Sequence, residues 1–135
     1  MANKLYRKTK AKMMKAQLDL SSVTVKALLV TSGYVYSDAH QFLSDVATGD
    51  RVATSSALTT QAVGSSDASF SSDPASFTAV TGSQVAAVIL FHDTGTPSTS
   101  DLVGYFDTGV TGFPFTPSGA DETISLTNGY WFKLG

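Results

Sequence analysis

The chain lacks several features that define whole classes of protein. It has no cysteine among its 135 residues, which excludes a disulfide framework and a metal site built from thiolates. Its longest apolar run, Val85 to Phe91, has the length of a strand and falls far short of the roughly 20 residues that span a bilayer. The basic N-terminus has no apolar stretch behind it, so we expect neither a membrane-spanning helix nor a secretory signal.

Charge is also scarce, and it is unevenly distributed along the chain. Only 15% of the residues are charged, and the net charge is -2. The first 18 residues carry a charge of +6 without a single acid, whereas the remainder holds three cations and 11 acids, a charge of -8. This segregation predicts a basic arm that contacts another molecule, and the alternative is a helix face that is merely solvated.

Residues 1–20 are the only segment with a helical pattern. A thin stripe of small or apolar side chains recurs there every three or four positions: Leu5, Thr9, Met13, Ala16 and Leu20. Such a stripe cannot hold an isolated helix in water, so the helix must dock onto its own domain or onto a neighbour. Nucleic acid is disfavoured as the partner because the rest of the chain is acidic, and an acidic protein surface is the better prediction. The predicted partner-binding residues are Lys4, Leu5, Arg7, Lys8, Lys12, Met13, Met14 and Lys15.

Residues 21–135 show the pattern of a single, mainly β domain. The predicted strands are Val23–Thr31, Ala68–Ser71, Ser76–Val80, Gln84–His92, Leu102–Phe106, Thr123–Leu126 and Tyr130–Leu134. Gln84–His92 is apolar at consecutive positions, which predicts a central strand covered on both faces. Asn128-Gly129 predicts a hairpin between the last two strands, and Ser37 or Asp38 can cap a short helix over Ala39–Leu43. We therefore expect an antiparallel β-sandwich or jelly-roll-like domain with an N-terminal helical arm and one short internal helix.

The tripeptide Asp-Thr-Gly occurs twice, at residues 93–95 and 107–109. In aspartic proteases this motif supplies two carboxylates that lie about 3 Å apart and share a proton. If the two preceding strands are antiparallel neighbours, however, Asp93 and Asp107 lie at opposite ends of the sheet. The motif also has a plain use in turns, where Asp and Thr bond to the local backbone and Gly supplies a positive φ. We therefore predict two turns, although a dimer that donates one motif per chain is an alternative.

No other chemical constellation points to catalysis. The only histidines, His40 and His92, do not have the spacing of metal ligands. The chain also contains no Gly-x-Ser-x-Gly nucleophile elbow that would accompany a catalytic histidine. The many loop aspartates could bind calcium, but no Asp-x-Asp-x-Asp-Gly loop is present. We expect no enzymatic activity, no cofactor and no metal.

Three blocks of sequence carry a resemblance to a known family. They are VTVKALLVTSGYVYSDAHQFLSDV (Val23–Val46), VAAVILFHDTGTPSTSDLVGYFDTG (Val85–Gly109) and TISLTNGYWFKLG (Thr123–Gly135). Together they resemble a group of small structural proteins from the virions of tailed bacteriophages.

That resemblance implies a protein of the assembled virion, produced in the cytoplasm of the bacterial host. The expected role is a head decoration or cement protein that binds the major capsid protein or another virion protein and self-associates in the particle, without contacting a membrane. A tail, neck or fibre-associated protein is the alternative. A further alternative is a glycan-binding module with an aromatic platform formed by Tyr34, Tyr36, Tyr130 and Trp131.

Overall fold

A computed structural model describes residues 4–64, 66, 68–107, 113–126 and 129–133 of the chain. They form one α-helix, α1 (Arg7–Met14), and two short 3-10 helices at Leu43–Asp45 and Thr48–Asp50. The strands are β1 (Lys4–Leu5), β2 (Val25–Val30), β3 (Arg51–Thr54), β4 (Ala62–Val63), β5 (Ser69–Ser71), β6 (Ala75–Phe77), β7 (Ala87–His92), β8 (Leu102–Phe106), β9 (Glu122–Ile124) and β10 (Phe132–Lys133). No helix in this part of the chain has the length and apolar character to cross a bilayer.

The main sheet has five antiparallel strands in the order β1-β8-β7-β2-β3. The most apolar strand of the sequence, β7, lies in the middle, as predicted for Gln84–His92. Its side chains alternate between two cores: Val88 and Leu90 pack in one, whereas Ile89 and Phe91 pack in the other. Both faces of the sheet are therefore covered, which explains why consecutive residues of β7 are apolar.

Two small sheets contribute to the first of these cores. They are a three-stranded sheet with the order β10-β5-β4 and the pair β6-β9, and they supply Phe70, Phe77, Ile124 and Phe132 to that core. The second core is closed by Tyr6 and by Tyr34, Leu43 and Val46 from the segment after β2. The fold is thus mainly β and antiparallel, as predicted, and the finer description as a β-sandwich or jelly roll stays a prediction.

The antiparallel pairing of β7 with β8 separates the two Asp-Thr-Gly motifs. Val88 pairs with Phe106 and Phe91 pairs with Leu102, so Asp93 and Asp107 follow opposite ends of the two strands. At about 3.3 Å per residue, this places them roughly 20 Å apart within one chain. The predicted turn is confirmed at the first motif, where Gly95 has a φ of 88° and its N–H donates to Asp93 Oδ1 at 2.9 Å. Thr108 and Gly109 of the second motif lie outside the described residues.

The predicted helix over Ala39–Leu43 is wrong. The first helical turn in this region begins at Leu43 and is a 3-10 turn. The chain before it is extended because Phe42 bridges to Asp101 and the Leu102 N–H donates to the Gln41 carbonyl at 2.8 Å. These long-range backbone bonds override the local capping signal at Ser37 and Asp38.

The predicted C-terminal hairpin is not seen in the described residues. There, β9 pairs with β6 and β10 pairs with β5, and these two strands are not paired with each other. Phe132 lies opposite Phe70, and the ring centroids of these two residues are 5.8 Å apart. Asn128, the first residue of the predicted turn, lies outside the described residues.

Candidate protein-binding surface

The N-terminal segment is docked on its own domain. Lys4 and Leu5 of β1 pair with Tyr105 and Gly104 of β8. Immediately after β1, the Tyr6 N–H donates to the Val103 carbonyl at 3.1 Å. The Tyr6 side chain is completely buried. The sequence left open whether this segment docks onto its own domain or onto a neighbour. The structure shows it docked onto its own domain, because the segment continues the edge of the main sheet.

Helix α1 is held against β8 by its inner side. Thr9 is fully buried, and its hydroxyl donates to the Leu102 carbonyl. One turn later, the Lys12 ammonium contacts both oxygens of Asp101, at 3.0 and 2.8 Å. The Asp101 side chain is only 6% exposed, so this pair is shielded far better than a surface ion pair. Sequence inspection missed Asp101, because nothing in the sequence places it beside a residue 89 positions earlier.

A cluster of tyrosines fixes the start of the helix. The hydroxyls of Tyr6 and Tyr34 lie 2.7 Å apart, and the Tyr34 hydroxyl lies 2.8 Å from His40 Nδ1. The Tyr36 hydroxyl donates to the Asp38 carboxylate at 2.6 Å and lies 3.0 Å from the Leu5 carbonyl oxygen.

The surroundings of these tyrosines raise the pKa of their hydroxyls. Burial raises the pKa of Tyr34 to about 12. Burial, followed by its bond to Tyr34, raises the pKa of Tyr6 even further. These phenols therefore stay protonated even at alkaline pH, where a free tyrosine ionises, and act as hydrogen-bonding groups of the core.

The solvent-exposed residues around the rest of the helix and at its C-cap are strongly basic. Lys8, Lys10 and Lys15 are exposed, and none of them forms an ion pair with another described residue. Met14 lies among them and is 84% exposed, the largest value among the exposed large apolar residues. We call these four residues, Lys8, Lys10, Met14 and Lys15, the outer helix face.

The structure therefore divides the predicted partner-binding residues into three groups. Lys8, Met14 and Lys15 belong to the outer helix face, together with Lys10, which the prediction omitted. Leu5 and Met13, predicted as anchors for a partner, instead pack against the first core of the domain itself. The remaining cations are Lys4, exposed on β1, Lys12, paired with Asp101, and Arg7, whose Nη2 lies 2.9 Å from Asp38 in an exposed ion pair.

A groove adjoins the end of the helix. It encloses about 430 Å³ and separates α1 and the segment that follows it from the small sheet β10-β5-β4. Its lining residues are Met13, Ala16, Leu18, Asp19, Leu20, Val63, Ala68, Ser69, Phe70 and Phe132. Gln61 ties the two walls together, because its Nε2 donates to the carbonyls of Leu20 and Val23 at 2.5 and 3.0 Å. The groove is thus a preformed apolar depression beside a basic helix.

The acidic residues of the domain are mostly engaged within it. Asp45 accepts the N–H groups of Gln41 and Phe42 at 2.8 and 3.0 Å, and these bonds lower its pKa. Asp93 pairs with Lys26 at 2.8 Å. Other described aspartates accept bonds from side chains or backbone in the same way: Asp19, Asp38, Asp50, Asp73, Asp101 and Asp121. Most of the described carboxylates therefore serve turns and ion pairs, whereas Lys8, Lys10 and Lys15 form no ion pair with a described residue, and Lys8 acts on Asp45 only through the field between the two charges.

The remaining candidate sites do not assemble in the described residues. His, Asp and Glu side chains form no group of three that could hold a metal ion there. The predicted aromatic platform is divided: Tyr34 and Tyr36 pack at the second core, whereas Trp131 is buried in the first core against Phe106.

Comparison with known proteins adds no further assignment. The chain matches no protein-family model, and no curated protein matches its sequence.

Proposed function

We propose that the protein is a structural component of a tailed-bacteriophage virion, most concretely a head decoration or cement protein. The proposal rests on the resemblance of three sequence blocks to such proteins. The structural observation that supports it is the outer helix face, where an exposed methionine and three exposed lysines that form no ion pair with a described residue project from a helix docked through Thr9 and Lys12. A surface of this kind suits binding to an acidic protein such as a shell subunit.

The mechanism is binding without chemistry. A protein that binds the assembled shell, but not its dissociated subunits, stabilises the shell by mass action, by about 2.7 kcal/mol per site at 100 times the dissociation constant. Because the helix is already ordered on its domain, binding costs less conformational entropy than the folding of a free arm would. Many repeated sites on a shell make high occupancy possible even when each contact is weak.

The first experiment measures whether and how often the protein occurs in purified virions. A decoration protein is present in hundreds of copies per particle, whereas a neck, tail or fibre protein is present in about a dozen. Quantitative gel staining of virions against the major capsid protein distinguishes the two. Absence of the protein from purified virions would contradict the proposal altogether.

The second experiment tests the outer helix face. Deletion of residues 1–20 is a poor test because it removes the buried Tyr6 and Thr9 and so damages the fold. The triple variant Lys8→Glu, Lys10→Glu and Lys15→Glu changes only exposed side chains, and we expect it to abolish incorporation into virions. The matched triple arginine variant keeps the charge and should be incorporated normally, and raised salt should weaken the binding of both the wild type and the arginine variant.

A further inference from the structure

We propose that the N-terminal segment, residues 4–14, exchanges between two copies of this chain, so that the segment of each copy docks on strand β8 of the other. This deepens the proposed function and rests on it only for the setting in which copies lie close together. The exchange itself concerns contacts within this chain, so it can be tested on the isolated protein.

The contacts that hold the segment can be made by any copy of it. They are the pairing of Leu5 with Gly104, the bond of the Tyr6 N–H to the Val103 carbonyl, the bond of the Thr9 hydroxyl to the Leu102 carbonyl and the ion pair of Lys12 with Asp101. None of these docking contacts involves residues 15–24, which connect the segment to β2. A second copy of the segment therefore offers the same set of contacts.

The connection begins with a short, exposed hinge. Residues 15–17 are exposed, and the chain becomes buried again at Leu18 and Leu20. The Gln61 amide donates to the Leu20 carbonyl at 2.5 Å, so the chain is anchored directly after the hinge. The hinge, residues 15–17, can therefore straighten without uncovering either core.

The hinge is strained while the segment is docked on its own domain. Ala16 has a φ of 56°, in the left-handed region that costs free energy for a residue with a Cβ. An extended hinge removes this cost and directs the segment away from its own β8. Short hinges under strain favour exchange between copies, because the docking contacts are kept and only the hinge changes.

The position on β8 is specific enough to favour a second copy over a different protein. It buries the whole Tyr6 side chain and places its hydroxyl 2.7 Å from that of Tyr34. Three residues later it requires the Thr9 hydroxyl, and three further on an ammonium group for the shielded Asp101. An identical segment meets all of these requirements at once.

The first test compares two hinge variants of the isolated full-length protein by analytical ultracentrifugation. Ala16→Gly relieves the strain of the self-docked form and should raise the dissociation constant of the dimer. Ala16→Val increases that strain and favours an extended hinge, so it should lower the constant. Because an exchanged dimer opens two hinges, an effect of about fivefold per hinge becomes about 25-fold for each variant relative to the wild type.

The second test asks whether the segment docks on another copy. Lys12→Glu and Asp101→Lys each place like charges together, so neither variant docks its own segment well. When the two variants are refolded together, reciprocal exchange pairs the introduced glutamate with the introduced lysine and the native Lys12 with the native Asp101. We expect a one-to-one heterodimer in native mass spectrometry. The double variant carries both changes in one chain and should have the dissociation constant of the wild type.

Three results would overturn the proposal. They are a wild-type protein that stays monomeric at the highest soluble concentration, a dimer with the same dissociation constant in both Ala16 variants, and a refolded mixture without the heterodimer. A dimer that ignores the hinge would use another surface. If the charge variants do not refold even as a mixture, the hinge pair decides alone. If exchange is observed but the protein is absent from virions, the proposed function fails while the exchange stands.

Discussion

Replacement of the buried Tyr6 tests whether the N-terminal segment is an integral part of the fold. Its side chain is fully buried, its ring lies 4.9 Å from that of Tyr36, and its hydroxyl bonds to Tyr34. Truncation of a buried aromatic residue to alanine costs about 3–5 kcal/mol of unfolding free energy. We therefore expect Tyr6→Ala to cost this amount. Tyr6→Phe keeps the ring and loses one hydrogen bond, so it should cost only about 1 kcal/mol.

The assay is urea unfolding followed by the fluorescence of Trp131, the only tryptophan of the chain. Trp131 is 3% exposed and lies in the first core, whereas Tyr6 lies in the second. A loss seen at Trp131 is therefore a loss of global stability. Met14→Ala, on the outer helix face, is the control and should change the stability by no more than about 0.5 kcal/mol. The reasoning would be refuted if Tyr6→Ala lowered the unfolding free energy by less than about 1 kcal/mol while the slope of that free energy against urea concentration stayed unchanged. The N-terminal segment would then be one that becomes ordered only on a partner.

Three further predictions concern local features of the structure. Ala16 has a positive φ of 56°, and the N–H of Gln17, the residue after it, donates to the Lys12 carbonyl at 2.9 Å in a Schellman motif. Because glycine adopts a positive φ without strain, Ala16→Gly should raise the unfolding free energy by about 0.5–1 kcal/mol. A loss of stability would contradict this. Asp101→Asn should cost about 1–3 kcal/mol because Lys12 loses its shielded counter-ion, and a double-mutant cycle with Lys12→Met should show a positive coupling energy, which additive losses would disprove. Backbone N–H groups lower the pKa of Asp45 in the folded state. Its stabilising effect is therefore complete above the unfolded pKa of about 4 and is lost as the pH falls through the folded pKa. Asp45→Asn should reduce the dependence of the unfolding free energy on acid pH, and an unchanged pH profile would exclude this role.

The strands that the sequence predicted well are those whose burial is visible in consecutive residues. The prediction of Leu102–Phe106 coincides with β8, and Val23–Thr31 and Gln84–His92 contain β2 and β7. Their apolar side chains fill cores on both faces of one sheet, so their composition alone distinguishes them from the polar loops. Strand pairing was harder to predict, because the pairing of Phe132 with Phe70 depends on packing between residues far apart in sequence.

The candidate site was predictable only in part, for a similar reason. Lysine clustering in the first 18 residues correctly indicated a basic helix, but the direction in which the helix faces depends on contacts across the fold. Thr9 is polar and yet becomes the most buried residue of the helix, since its hydroxyl finds the Leu102 carbonyl. Met14 is apolar and yet projects into solvent. The spacing of three or four residues correctly put Thr9 in the docking stripe and left Met14 outside it, but it could not identify the Leu102 carbonyl as the partner of Thr9.

The distribution of charge over the folded molecule differs from what net charge suggests. By composition the domain after residue 18 is strongly acidic, which would predict attraction between the arm of one copy and the body of another. In the structure, the carboxylates of Asp93 and Asp101 are paired with the ammonium groups of Lys26 and Lys12, whereas Asp45 accepts backbone N–H groups and keeps its charge. Lys10 and Lys15 form no ion pair with another described residue, and Lys8 acts on Asp45 only through the field between the two charges. The local arrangement of charge on the N-terminal segment therefore differs from what the net charge of -2 suggests.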